Sequence, residues 1–68
     1  MNKSDRRQVD KALAVRRTEP RYCAATLAAL HRSSKGKTHD ELTVLIMSYP
    51  HLRQQLDVVN GCYVPKEI

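Results

Sequence analysis

Four interruptions cut this chain into short pieces and so restrict what it can fold into: Thr18-Glu19-Pro20, Ser33-Ser34-Lys35-Gly36-Lys37, Pro50 and Asn60-Gly61. Proline has no N–H and clashes with the preceding helical turn, so it is accepted only at the start of a helix. Glycine and asparagine tolerate the left-handed backbone that ends one. What lies between the breaks is rich in helix formers. In 68 residues this leaves room for one small domain whose core buries only about 60% of the unfolded chain's surface.

The first helix is expected over about 5–17, with Ser4 as N-cap, because its hydroxyl can accept from an exposed N–H of the first turn. Val9, Ala12 and Leu13 recur at helical spacing and form a narrow apolar stripe. Arg16 interrupts that stripe and can lay its aliphatic stem over apolar surface. Thr18 is the expected cap of a second helix over 20–33. There Cys23, Leu27 and Leu30 share a stripe beside Ala24, Ala25, Ala28 and Ala29, small residues that permit close approach of a neighbour.

Thr38-His39-Asp40-Glu41 reads as a capping box opening a third helix over 39–48, with Leu42, Leu45 and Ile46 as its apolar face. Pro50 ends that helix and starts a fourth over 50–60, capped by Ser48, with Leu52, Gln55, Leu56 and Val59 on one stripe and Asn60-Gly61 as its stop. The tail over 61–68 favours extended chain, either a short strand or a segment packed across the helices. The expected architecture is therefore all-α. It is a compact bundle of four short helices in a single domain spanning 1–68, with a short extended C-terminal tail.

Composition removes several classes of function. No apolar run approaches the roughly 18 residues of a membrane span, and the charged N-terminal stretch is not a signal peptide, so a cytoplasmic setting is expected. Cys23 and Cys62 are then expected as reduced thiols, Cys23 buried among alanines. His31, His39 and His51 lack the close spacing that holds zinc and read as isolated surface residues; no metal and no cofactor is expected. Four short helices leave little space for a catalytic pocket, and no Ser-His-Asp or Cys-His arrangement follows from spacing, so an enzyme is not expected. Tyr22, Tyr49 and Tyr63 are too few and too scattered for an RNA-stacking platform.

The stretch from Thr38 to Val64 resembles the winged-helix variant of the helix-turn-helix. Thr38, Glu41 and Leu42 match the first helix of that pattern and Ser48 its turn. Leu52, Arg53, Leu56 and Val59 match the second helix, and Gly61 and Val64 its exit. The helix over 20–33 would then support the pair. The resemblance covers about two-fifths of the chain, and its elements are generic. It implies a helix-turn-helix-like pair, DNA binding and a role in transcription regulation. The residues beyond Gly61 are expected to be too few for a full two-stranded wing.

Charge is unevenly divided behind the net +5. Residues 1–37 carry ten basic and three acidic side chains, a net +7, whereas residues 38–68 carry two basic and four acidic, a net −2. A DNA-reading fourth helix would offer His51, Arg53 and Gln54 to bases, with phosphates gripped by Arg32, Lys35 and Lys37. The charge division also suits a second role, an adaptor or inhibitor that docks Arg6, Arg7, Lys11 and Arg17 on an acidic protein surface. The alanine-rich second helix is a candidate seam for a homodimer.

Overall fold

One central helix organises the molecule. A computed structural model describes residues 1–66; residues 67 and 68 of the expected tail lie outside the described residues. In chain order the elements are α1 (Lys3–Ala14), α2 (Pro20–Ser33), α3 (Gly36–Met47), the single turn α4 (Pro50–Arg53), and the strands β1 (Leu56–Val59) and β2 (Cys62–Pro65). The fold is thus mostly helical but not all-α, because β1 and β2 form a two-stranded antiparallel sheet.

α2 buries Cys23, Ala24, Leu27, Ala28, Leu30 and His31, a sector wider than one stripe. It is covered by α1 on one side and by α3, α4 and the hairpin on the others. Ala24 and Ala28 are almost fully inaccessible and serve the chain's own core, whereas Ala25 is half-buried and Ala29 exposed on the outer side of α2. Val9 and Ala12 of α1, Leu42 and Ile46 of α3, then Leu52, Leu56 and Tyr63 complete the core. Among the described residues no helix is long and apolar enough to cross a membrane.

Several expected boundaries move, each for a local reason. α1 begins at Lys3 because Asn2, not Ser4, caps it: the Asn2 side-chain oxygen accepts from the Asp5 N–H at 2.8 Å. It ends at Ala14 rather than near Arg17, as the Arg16 guanidinium donates to the Leu13 carbonyl at 2.7 Å and satisfies a C-terminal acceptor. Thr18 does not cap α2; Glu19 holds the cap position without a side-chain bond. Likewise Tyr49, not Ser48, precedes α4, and the Ser48 hydroxyl donates back to the Val44 carbonyl at 2.8 Å.

The capping box over Thr38–Glu41 is not formed. Gly36 adopts φ +62°, a left-handed conformation that turns the chain from α2 into α3 across only Ser34 and Lys35, and this places Thr38 inside the helix. The Glu41 carboxylate instead lies 3.9 Å from the Met1 amino group.

The largest correction concerns the segment expected as a helix over 50–60. Only Pro50–Arg53 is helical; the chain then turns through Gln54 and Gln55 and becomes β1. Asn60 (φ 53°) and Gly61 (φ 76°) are both left-handed, and Val59 pairs with Cys62. They are therefore the two central residues of a hairpin turn of the I′ class, whose twist matches that of the strands. The β-branched pair Val58-Val59 favours a strand ahead of it. Of the expected stripe, Leu52 and Leu56 are buried but Val59 is exposed, and a helical turn followed by a strand meets the Leu52–Leu56 spacing equally well. The few residues after Gly61 suffice for a complete second strand, and the Lys66 N–H donates to the Gln55 carbonyl at 2.9 Å to close the hairpin base.

Candidate nucleic-acid interface

The helix directions gather one set of charges. Only residues 15–19 join α1 to α2, and the two helices pack against each other, so α1 and α2 run antiparallel. Met1 lies against Glu41, while the Arg16 guanidinium sits 5.8 Å from the Tyr49 ring centroid; α1 and α3 therefore run in the same general direction. At the hairpin, Val58, Gly61 and Tyr63 share a small cleft of about 190 Å³ with His31, His39 and Thr43. The amino ends of α1 and α3, the carboxyl end of α2 and the Asn60-Gly61 tip consequently lie at one end of the molecule.

Arg32, Lys35 and Lys37 sit at this end, at the corner between α2 and α3, and all three are exposed. Lys3, Arg6 and Arg7 approach it from α1, also exposed. Among the described residues the side-chain ion pair is Arg6 with Asp10, at 3.7 Å between groups open to water, which is worth little. The Met1 amino group lies near Glu41, and among the described residues Lys3, Arg7, Arg32, Lys35 and Lys37 carry no carboxylate partner. The first turn of α3 contains no acidic residue and no side-chain cap, so its N–H groups and the positive end of its dipole add to the same field.

The outward face of α3 is different in character. Lys37 is followed there by Asp40, Glu41, Val44 and Met47, all exposed. Carboxylates repel phosphates, and Val44 and Met47 offer no hydrogen bonds to base edges.

The residues expected to read bases are not brought together as a helix face. His51 is exposed on the single turn α4, with its ring 6.3 Å from Tyr49 in an edge-on arrangement. Arg53 is engaged internally: it donates to the Leu56 carbonyl at 2.8 Å, and its guanidinium lies 5.1 Å from the centroid of the buried Tyr63 ring. Gln54 is exposed in the turn that follows. One helical turn spans only about 6 Å and cannot lie along a groove as a recognition helix. Of the alternative set, Arg7, Lys11 and Arg17 are exposed and form no ion pair among the described residues, and Arg6 holds Asp10.

The histidines depart from the expected isolated surface residues. His31 is only 3% exposed and its ring stacks against half-buried His39 with centroids 3.9 Å apart. Its burial lowers its pKa below the ordinary imidazole range, and the adjacent His39 acts in the same direction. The signal lay in the sequence, since His31 follows Leu27 by one turn and Cys23 by two, which continues the buried stripe. Cys23 is fully buried; that burial pushes its thiol pKa up, and the Arg16 charge opposes the shift. Among the described residues no three His, Cys, Asp or Glu side chains gather as metal ligands. Searches of family models, curated proteins and solved structures return no match to this chain.

Proposed function

We propose that this chain is a small DNA-binding regulatory protein of winged helix-turn-helix type, with α2 and α3 as its helix pair and the β1–β2 hairpin as its wing. This assignment moves the pair one helix earlier than the sequence resemblance places it. The observation that carries the reading is the concentration of exposed cations at one end of the fold, where Arg32, Lys35 and Lys37 meet the amino ends of α1 and α3 and the hairpin tip. Such a surface suits the phosphate backbone, which supplies most sequence-independent affinity.

Asp40, Glu41, Val44 and Met47 on the outward face of α3 leave few groups to read bases in the major groove. Sequence preference should therefore be modest and binding strongly dependent on salt. Backbone amide shifts measured by NMR during titration with a short duplex test the reading. Shifts clustered on Arg32–Thr38 and Asn60-Gly61 are expected; shifts absent at low ionic strength, or confined to α4, would refute it.

A second reading has its own support. Lys3, Arg7 and Lys11 follow one another at four-residue spacing on the face of α1 opposite Val9 and Ala12, and all three are exposed. A basic ridge of this kind suits an adaptor docking on an acidic protein surface. Charge reversal at Arg7 and Lys11 would abolish that docking, whereas reversal at Lys35 and Lys37 would leave it intact.

A further inference from the structure

The His31–His39 pair lies where three elements meet: α2 supplies His31, α3 supplies His39 and Thr43, and β2 supplies Tyr63, whose ring centroid is 4.9 Å from that of His31. The Thr43 hydroxyl donates to the His39 carbonyl at 2.9 Å. It therefore has only lone pairs to offer His31 Nε2, which lies 2.7 Å away. While the hydroxyl donates there, the neutral His31 ring carries its proton on Nε2 and a lone pair on Nδ1. That Nδ1 atom is sealed from solvent and has no hydrogen-bond partner among the described residues. A bound ligand cannot reach an atom so enclosed; a proton can, when the seam around it opens.

We infer that the His31–His39 pair is a pH-sensitive latch that holds the hairpin against α2 in neutral solution and releases it on acidification. A protonated Nδ1 would be a buried N–H without an acceptor beside a second imidazole, and burying an unpaired charge is costly. The groups around His31 do not relieve this. α3 presents His39 and the committed Thr43 hydroxyl, and β2 presents Tyr63 with the Arg53 guanidinium of α4 over its ring. Among the described residues neither histidine forms an ion pair with a carboxylate. Opening the seam frees His31 to take its proton in water.

The sign follows from linkage. His31 is shifted downward when the seam is closed, so the open state binds the proton more readily. Closure is then fully favoured above the ordinary imidazole value of about 6.5 and weakens as pH falls below it, by at most about tenfold per pH unit. The latch is a property of the free protein and does not depend on DNA binding.

Ring nitrogen NMR and amide hydrogen exchange test it together on the whole chain. At about pH 7.5 His31 should be the neutral Nε2–H form. As pH falls towards about 5, hairpin amides at Val58 and Tyr63 should lose protection, after correction for intrinsic exchange, by up to about tenfold per pH unit, while α1 amides hold theirs. His31→Met should remove the response. His39→Gln, at a half-exposed position, should shrink it, and that variant decides the matter if the buried substitution fails to fold. Protonation of His31 with hairpin protection unchanged would overturn the proposal, as would a full response in His39→Gln.

Discussion

Alanine at Asn60 and at Gly61 tests the structural element that most changes the reading of this chain. Both residues have positive φ, 53° and 76°. A Cβ added at Gly61 would meet nothing within 4 Å, so steric clash contributes nothing and the whole cost is conformational. An L-residue in the left-handed region costs roughly 1–2 kcal/mol. Stiffening of the unfolded chain opposes folding less than glycine does and returns about 0.4–1 kcal/mol. The net loss for Gly61→Ala is then about 1 kcal/mol, and for Asn60→Ala somewhat less, because asparagine already bears part of that strain. A chain this size has a total stability of only about 3–10 kcal/mol, so a Tm drop of roughly 4–8 °C is expected for Gly61→Ala. Urea and thermal unfolding followed by circular dichroism measure both. The pair of variants is diagnostic: were Asn60 the last residue of a helix with Gly61 as its stop, Asn60→Ala would be neutral or stabilising, since alanine is the better helix former. That outcome would refute the two-residue turn.

Three further outcomes follow from the packing. Leu27→Ala, at a fully buried site on the central helix, should cost about 2–5 kcal/mol and leave the chain partly unfolded at room temperature, as read by the urea midpoint. Arg53→Ala should lower stability by about 1 kcal/mol through loss of its bond to Leu56 and its position over Tyr63, with duplex affinity little changed; a large loss of affinity without a stability change would restore Arg53 as a DNA contact. In a time course with a thiol-reactive disulfide reagent, half-buried Cys62 should react first, and Cys23, buried with a raised pKa, only as fast as the protein unfolds.

The helices were legible because their signals are local. Pro20 and Pro50 open α2 and α4 as written, and the stripes Val9–Ala12, Cys23–Leu27 and Leu42–Ile46 are the buried faces. The hairpin was misread because Asn60-Gly61 serves equally as a helix stop and as a two-residue turn, and because Leu52 and Leu56 satisfy helical spacing while belonging to different elements. Thr38-x-x-Glu41 has the form of a capping box, but the left-handed Gly36 begins α3 before it. Of the candidate interface, Arg32, Lys35 and Lys37 are legible as exposed cations from charge alone. Their convergence with the amino end of α1 and the hairpin tip depends on helix directions that no local pattern encodes. The buried His31 was hidden by residue type, since a histidine on an apolar stripe is read as surface unless its stripe is followed through.

On the proposed function, the basic end binds the phosphate backbone of DNA. Affinity for a duplex measured between about 50 and 200 mM salt tests it most directly, because each phosphate neutralised contributes about −0.9 to the slope of log affinity against log salt. The intact protein should bind at low salt, and replacing Arg32, Lys35 and Lys37 together by alanine should make that slope shallower by about 2–3 with the fold retained. Absence of binding at the lowest salt, or a slope unaltered by the triple substitution, would contradict the account.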